Sequence, residues 1–262
     1  MIQVDEKECI GCGACEKDCF LQAIKVREKK AAVLRDCFHC GHCVAVCPTG
    51  AVSMPDYPME DIKEYNKDDF LMDAGKLLNF IKFRRSVRQF QKKQIPRSEI
   101  ESILEAGRFT PTAGNRQDVS YIVLQKELES FKPLVWEGLD ALLEMEGVPY
   151  TRMLKPLRQA HQENPAEDGL FFGADALLLV FGESSALSAG LTACSMELMA
   201  QAKGIGVLYS GFLQGIINIS PKAKEFLQLD GEKTLCACML LGYPDVQYRR
   251  TAPRKPAVVQ WR

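Results

Sequence analysis

Eight of the eleven cysteines in this 262-residue chain fall in two short runs near its beginning. The runs read CIGCGACEKDC and CFHCGHCVAVC, and each cysteine of the first recurs after a shift of 28 residues. Three thiolates two residues apart cannot all converge on one small ion from a helix or a strand, but a tight loop can wrap them round the corners of a cubane iron–sulfur cluster. The cysteines concerned are Cys9, Cys12, Cys15, Cys19, Cys37, Cys40, Cys43 and Cys47.

Zinc and disulfides explain this spacing less well. A structural zinc site uses two C-x2-C pairs and gives no role to a third cysteine at the same step. Disulfides belong to secreted proteins, and we expect no signal peptide before Cys9. The remaining Cys194, Cys236 and Cys238 have no basic neighbours, so we expect them to be small buried apolar residues rather than nucleophiles.

The spacing resembles that of two-cluster bacterial ferredoxins over residues 1–57, and in that family the fourth cysteine of each run serves the other cluster. The resemblance implies two 4Fe–4S clusters, with Cys47 completing the first site and Cys19 the second. Phe20 stands where the family usually has proline, so we expect a local change around the first cluster without loss of a ligand. The stretches AIKV and AVSM are predicted to be the paired strands of the repeat.

Length and charge narrow the class of protein. A ferredoxin of 57 residues leaves about 200 residues, enough for one enzyme domain with its own core. The formal net charge of −1 argues against a dedicated nucleic-acid binder. The apolar run ALLLVF at 176–181 is far too short to cross a bilayer, and we expect no membrane association. With no targeting segment expected, the predicted location is cytoplasmic.

The charge changes sign behind the cysteine runs. Residues 55–73 hold seven acidic residues and two lysines, whereas residues 76–97 hold eight basic residues and no acid. We therefore predict an acidic linker at 58–73, with one short helix, and a second domain at 74–262.

The second domain alternates between helical and extended patterns. Helices are predicted for GKLLNFIKF, RSEIESILEAGRF after Pro96, LSAGLTACSMELMAQAK and PKAKEFLQL, and strands for SYIVLQ, ADALLLVFG, GIGVLYSGF and TLCACMLLGYP. Residues 127–163 are predicted to be mostly helical, with breaks at Pro149 and Pro156. The alternation indicates an α/β or α+β domain. In the long third helix we expect one side to face the core: Leu187, Leu191, Cys194, Leu198 and Met199.

The basic stretch contains a cluster suited to a phosphate. Arg84, Arg85, Ser86 and Arg88 fall within five residues, and guanidinium groups bind phosphate through paired, charge-assisted hydrogen bonds. Taken alone, the cluster is equally consistent with a solvated basic surface or with a docking surface for the acidic linker.

Three further motifs that follow the arginine cluster along the chain favour its interpretation as a phosphate-binding site. The chain resembles the FMN-dependent nitroreductase family over about residues 74–262. The matching stretches are RRSVRQF at 84–90, PTAGNRQ at 111–117, GVLYSGF at 206–212 and PRKP at 253–256. The resemblance implies an α+β, nitroreductase-like FMN domain behind the ferredoxin domain. The family often continues its second motif as N-x-Q-P-W, whereas this chain has NRQDVS, so we expect a different loop shape there.

The resemblance also assigns cofactor-binding residues. The phosphate and ribityl chain of FMN would be held by Arg84, Ser86 and Arg88, with Arg85 beside them and Arg254, with Lys255, from the tail. The family builds its site across a homodimer interface, so a loop of the partner subunit would reach the flavin through Pro111, Thr112, Ala113 and Asn115. The backbone amides of Ser210 and Gly211 would face flavin N5 and O4, where hydrogen-bond donors favour reduced flavin. No residue is assigned as a general acid.

A dedicated nicotinamide site is not expected. The stretch GIGVLYSG has Tyr209 where a Rossmann motif has its third glycine. Members of the family that use NAD(P)H bind it transiently over the flavin, so NAD(P)H stays a possible donor. An external ferredoxin is another, because clusters carry single electrons and FMN holds one or two.

Four functions fit these features. The leading hypothesis is an FMN-dependent oxidoreductase that receives electrons through its own two clusters and reduces a small electron-poor acceptor, such as a nitroaromatic or a quinone. An alternative is an NAD(P)H-oxidising flavoprotein that passes electrons outward through the clusters to a protein partner. A third is a non-enzymatic electron-carrier subunit, and a fourth is a domain that keeps structural clusters but has lost FMN.

Overall fold

The computed structural model describes residues 1–147, 151–229 and 233–262. The chain forms two compact units. The first comprises Met1–Met72 and Gly114–Arg116, and the second comprises Asp73–Ala113 and Gln117–Arg262. The acidic stretch up to Met72 therefore groups with the first unit, and the division into domains at 57 and 73 stays a prediction. Pro149, expected to break a helix, lies outside the described residues.

The first unit consists of short elements. In chain order they are β1 (Gln3–Val4), α1 (Ala14–Asp18), β2 (Ile24–Arg27), β3 (Lys30–Val33), α2 (His42–Ala45), β4 (Val52–Ser53), a 3-10 turn (Met59–Asp61) and α3 (Lys67–Phe70). β1 pairs with β4 and β2 pairs with β3, both antiparallel. The predicted strands AIKV and AVSM both form, but they lie in different sheets and do not pair with each other.

The core of the first unit is small and includes cysteines. Ile24, Val52 and Met54 are almost fully buried, and they form one cluster with the buried cysteines Cys9, Cys15 and Cys43. A unit of this size buries too little apolar surface to be robust, so bound metal would add much of its stability.

The second unit is built on a four-stranded antiparallel sheet of order β5-β6-β8-β7. Its strands are β5 (Val119–Leu124), β6 (Ala176–Gly182), β7 (Gly206–Tyr209) and β8 (Thr234–Gly242). Every residue of β6 is buried, because both faces of this inner strand are covered by helices.

Within the described residues, seven helices belong to the second unit. They are α4 (Ala74–Phe83), α5 (Arg97–Arg108), α6 (Leu128–Glu144), α7 (Thr151–Glu163), α8 (Ala186–Ala202), α9 (Gly211–Ile219) and α10 (Pro221–Phe226). Alternate residues of β6 belong to two cores, one shared with α5 and α8 and the other with α6, α9 and α10. This arrangement confirms the predicted α+β class. In the part of the chain that the structure describes, no helix is long and apolar enough to span a membrane.

Three details of the second unit differ from the predictions. Helix α9 was not predicted, because GFLQGIINI combines two glycines with β-branched isoleucines, which disfavour helices. Pro156 lies inside α7 rather than ending it. On helix α8 the predicted core side was wrong for Leu187 and Leu191, which are 72% and 44% exposed, although Met199 does pack against the core. The residues that the helix buries include Ala189, Ala193 and Ala200.

The burial expected for Cys194 was also wrong. Cys194 lies on the outer side of α8 and is exposed, whereas Cys238 on the inner strand β8 is buried. Small alanines allow α8 to pack closely on the sheet, which leaves Leu187, Leu191 and Cys194 on the outside.

Candidate functional site

The first cysteine cavity lies at the beginning of α1. Three of its cysteines come from the first run and one comes from the second: Cys9, Cys12, Cys15 and Cys47. This is the grouping that the ferredoxin resemblance implies. The loop can wind round the cavity because Gly11 and Gly13 have φ values of 70° and 75°. A side chain at Gly11 would also collide with the carbonyl oxygen of Lys29.

The second cysteine cavity is lined by the other four: Cys19, Cys37, Cys40 and Cys43. Phe20 and Phe38 line the same cavity, with their ring centroids 5.8 Å apart. The expectation that Phe20 alters the first cluster is therefore corrected. Phe20 directly follows Cys19, and Cys19 belongs to the second cavity, so the effect of the missing proline falls there.

Backbone amides point at the sulfur atoms of the second cavity. Ala23 N–H donates to Cys19 Sγ at 3.3 Å, and His39 N–H donates to Cys37 Sγ at 3.4 Å. Hydrogen bonds of this kind tune the reduction potential of an iron–sulfur cluster. Burial raises the pKa of the Cys43 thiol to about 11, so this thiol must lose a proton when a cluster binds.

Each cavity thus offers four thiols around an enclosed volume. Within the described residues, no three His, Cys, Asp or Glu side chains converge closely enough to hold a single metal ion. A 4Fe–4S cluster takes one thiolate at each iron, which places the four sulfur ligands around a cube. The all-cysteine donor sets and the backbone donors to sulfur fit two such clusters.

In the second unit, the stretch 84–91 runs beside β7. Val87 N–H donates to the carbonyl of Val207 at 3.0 Å, and Ser86 forms a bridge with the same residue. Gly206 permits this close approach, because a Cβ there would lie 2.7 Å from Cγ2 of Val87. The structure therefore brings the RRSVRQF and GVLYSGF motifs together, although they lie about 120 residues apart in the chain.

The chain after β8 supports the same stretch. The Tyr248 hydroxyl donates to the carbonyl of Ser86 at 3.4 Å, and the Arg85 guanidinium lies 5.7 Å from the centre of the Tyr248 ring. Arg88 is exposed. Val87 next to it is buried, whereas Arg84 and Ser86 are partly exposed.

Arg84 has a buried partner that the sequence analysis missed. Its Nη1 donates to Oε1 of Glu197 at 2.6 Å, and the Glu197 side chain is only 7% exposed. Glu197 lies on α8, and it is the only charged residue among the seventeen of that helix. An isolated acid in an otherwise apolar helix is a signal that the sequence offered.

Tyr209, the last residue of β7, completes this group. Its hydroxyl donates a hydrogen bond to Glu197. Burial raises the pKa of Glu197, and the Arg84 guanidinium opposes that rise. Burial and the Glu197 charge together raise the pKa of Tyr209, so the phenol is neutral at physiological pH. A cation, a carboxylate and a phenol thus form one network.

The turn after β7 contains Ser210 and Gly211, whose backbone amides were expected to face a flavin. Ser210 caps α9, and its hydroxyl accepts from Leu213 N–H at 3.3 Å. The Ser210 N–H donates to the carbonyl of Cys238 at 2.8 Å, so this amide has a partner within the chain, and its predicted role beside flavin stays a prediction. Gly211 begins α9, where a first-turn N–H has no acceptor inside the helix.

The loop that the resemblance assigns to a partner's flavin contacts α8. Ala113 N–H donates to the Ser188 hydroxyl at 3.3 Å, and the Thr112 hydroxyl accepts from Gln117 N–H at 2.9 Å. Pro111 is exposed. Because these contacts lie within one chain, the role of the loop toward a second chain stays a prediction.

Asn115 groups with the first unit. Its side-chain amide donates to the carbonyls of Phe38 and His39 at 3.0 Å and 2.9 Å. These carbonyls lie between two cysteines of the second cavity, so the amide of Asn115 steadies that turn. The predicted contact of Asn115 with a flavin stays untested.

The predicted clamp from the tail is not assembled within the chain. Residues 249–262 form neither helix nor strand. Arg254 is exposed, and its Nη1 donates to the neighbouring carbonyl of Pro253 at 3.1 Å. Arg254 and Lys255 as phosphate ligands therefore stay a prediction.

Two family profiles match the chain. The nitroreductase family matches residues 81–243, which is more than half of the chain, and the 4Fe–4S dicluster domain matches residues 8–51. The two matched regions correspond to the two parts of the chain in which the sequence motifs lie.

Curated relatives match a short part of the chain. A component of the ion-translocating oxidoreductase complex of Methanosarcina acetivorans is 46% identical over 52 residues, which is 20% of each chain. An uncharacterized protein of Methanocaldococcus jannaschii is 36% identical over 63 residues, 24% of each chain. An uncharacterized ferredoxin of the same organism is 37% identical over 57 residues, 20% of this chain and 92% of its own length. The chain thus spans about a quarter or less of the length of the first two.

Solved structures resemble about seven-tenths of the chain. A nitroreductase with bound FMN from Bacteroides fragilis is 20% identical with a TM-score of 0.58, over 71% of this chain and 99% of that one. A nitroreductase with bound FMN from Desulfitobacterium hafniense is 22% identical with a TM-score of 0.56, over 72% and 100%. At these identities the likeness is one of fold. The two profile matches and this likeness of fold together show that the chain is an oxidoreductase belonging to the nitroreductase family, with an N-terminal 4Fe–4S dicluster domain.

Proposed function

We propose that the protein is an FMN-dependent oxidoreductase that takes electrons in through two 4Fe–4S clusters and reduces a small electron-poor acceptor, such as a nitroaromatic or a quinone. The observation that carries the proposal is the pair of cavities, each with four cysteines drawn from both runs. In a chain of the nitroreductase family, clusters bound in both cavities would give a built-in path for single electrons.

FMN fits the described residues of the second unit. Ser86 and Arg88 would hold the phosphate, and the amide of Gly211 would approach the flavin at the beginning of α9, where helix N-termini favour negative charge. Within the stretch 84–91, Arg88 is exposed and Ser86 is partly exposed, so both are open to a ligand. Nitroreductases of the same fold have been solved with FMN bound.

Bound FMN would accept single electrons and deliver two to an acceptor. The residues of this chain would position it: arginines hold the phosphate end, and a backbone donor beside the reactive edge favours the reduced form. Electrons would enter from an external ferredoxin or from NAD(P)H.

A homodimer is part of the proposal. Apolar side chains are exposed along two helices of the second unit: Leu77, Leu78 and Ile81 on α4, and Leu187 and Leu191 on α8. Exposed apolar surface of this extent is typical of an interface. A second copy covering it would also bring the predicted loop at 111–115 to the flavin of its neighbour.

Anaerobic turnover tests the proposal. The purified protein is assayed for iron, sulfide and FMN, and then for reduction of a nitroaromatic and of a quinone with reduced ferredoxin, NADH or NADPH as donor. The proposal predicts both cofactors and ferredoxin-driven reduction of at least one acceptor. Flavin turnover with NAD(P)H and an external one-electron acceptor, without ferredoxin-driven reduction, would instead show electrons flowing outward. Absence of FMN would overturn the proposal.

A further inference from the structure

Arg84 is assigned two anionic partners, and its single positive charge must be shared between them. The FMN phosphate is expected to bind it, yet its guanidinium already donates to the Glu197 carboxylate at 2.6 Å. Arg84 is 28% exposed and Glu197 is 7% exposed, so the pair is only partly screened by water. A phosphate next to this pair would place a second anion close to a buried carboxylate.

The surroundings of Glu197 provide little other compensation. Arg84 from the stretch after α4 and the neutral Tyr209 from β7 are the groups that act on its charge within the described residues. Cys194, on the same helix, influences Tyr209. Another ion pair involving α8, which packs on α5, joins Lys203, just past the C-terminal end of α8, to Glu99 at 2.6 Å. Arg84 is therefore the cation that favours the ionised form of Glu197.

We propose that Glu197 couples FMN binding to proton uptake: when the phosphate engages Arg84, Glu197 becomes protonated and remains as a neutral hydrogen-bond partner of Tyr209 and Arg84. The inference rests on the proposed binding of FMN. It makes Glu197 a positioning residue that sets how tightly the cofactor is held at a given pH.

The sign of the pH effect follows from linkage. The pKa of Glu197 is higher with phosphate bound than without it, because the phosphate withdraws part of the Arg84 charge and adds its own negative charge. A group whose pKa rises on binding favours the complex at low pH and opposes it at high pH. FMN affinity should therefore fall as pH rises between the two pKa values, by up to about ten-fold per pH unit for one proton.

FMN dissociation from the full-length holoprotein, measured at a series of pH values, tests this. Dilution of the holoprotein releases FMN, and the recovery of FMN fluorescence gives the Kd. Calorimetry in buffers of different ionisation enthalpy gives the number of protons taken up when FMN binds. We expect Glu197→Gln to bind FMN about ten-fold more tightly than wild type at the alkaline end and to take up about one proton fewer. The control Glu99→Gln removes the carboxylate of the other ion pair and should behave as wild type.

Three results overturn the inference: a Glu197→Gln variant that follows the wild-type pH curve, one that binds FMN more weakly at every pH, or an equal proton count. Should the variant misfold, difference infrared spectra of wild type on FMN addition decide, because the carbonyl stretch of a newly protonated carboxylic acid must then appear. If wild type binds no FMN at any pH, the proposed function fails, which is a separate result.

Discussion

The two cysteine cavities and the predicted flavin site differ in how much of each lies within one chain. Each cavity is closed by four cysteines from a stretch of about forty residues. The flavin site is assembled in part: the stretch 84–91 meets β7 and Tyr248, while the loop at 111–115 and Arg254 make other contacts.

The difference shows what local spacing can encode. Ligands two or three residues apart need only a tight loop, and glycines such as Gly11 and Gly13 provide it. A site drawn from residues some 170 positions apart depends on the packing of a whole domain and, by our proposal, on a second chain. Variants that damage one region and spare the other test this contrast.

The largest effect is expected from Cys12→Ala. It removes one ligand of the first cavity, so about half of the iron should be lost while FMN is retained. Turnover with reduced ferredoxin should collapse, and turnover with NAD(P)H should fall less. Iron and flavin analysis with both assays measures this, and Cys236→Ala is the matched control. Equal loss with both donors would argue against electron entry through the clusters.

The next effect concerns Arg88→Ala in the second unit. Arg88 is exposed, so the change should cost little stability, but loss of a charge-assisted bond to phosphate should weaken FMN binding about ten- to hundred-fold. Iron content should not change. The exposed Arg97, paired with Glu101 at 2.7 Å on α5, gives the control Arg97→Ala. Unaltered FMN affinity in Arg88→Ala would remove Arg88 from the phosphate site.

Leu191→Glu tests whether the flavin site needs a second chain. A charge on the apolar outer side of α8 should weaken the proposed dimer at least about ten-fold, and FMN should be lost with it. Sedimentation across a concentration series gives the oligomeric state. Met153→Glu, on the exposed side of α7, is the control. A monomeric variant that keeps full FMN would show that one chain suffices.

The smallest effect is expected from Gly206→Ala. The added methyl group would press on Val87 and displace the stretch 84–91, at a cost of about 1–3 kcal/mol in the free energy of unfolding of the second unit. Gly215→Ala, where a Cβ meets no atom within 4 Å, should be tolerated. Urea unfolding followed by flavin fluorescence measures both. Equal stability of the two variants would mean that this contact does not hold the stretch in place.

Much of the fold could be predicted from the sequence, and the failures have physical causes. The four strands of the second unit were predicted because short apolar runs bounded by turns are a local signal. The outer side of α8 was predicted to be buried, since periodicity cannot distinguish a core from an interface that another chain would cover.

The site shows the same limit. The grouping of the cysteines was implied by the resemblance to two-cluster ferredoxins. The pairing of Arg84 with Glu197 joins residues 113 positions apart and appears only in the folded domain. The effect of Phe20 was assigned to the wrong cluster because Phe20 follows the first cysteine run in sequence. Its neighbour Cys19 belongs to the second cavity, whose other cysteines come from the second run.

The order in which the cofactors are reduced tests the central claim most directly. The oxidised protein is mixed rapidly and without oxygen with reduced ferredoxin, and the iron–sulfur and flavin absorbance bands are followed together. We predict that the clusters bleach first, that the flavin follows, and that Cys12→Ala slows the flavin phase. Flavin that is reduced faster by NADH or NADPH, with the clusters bleaching afterwards, would contradict the inward path of electrons.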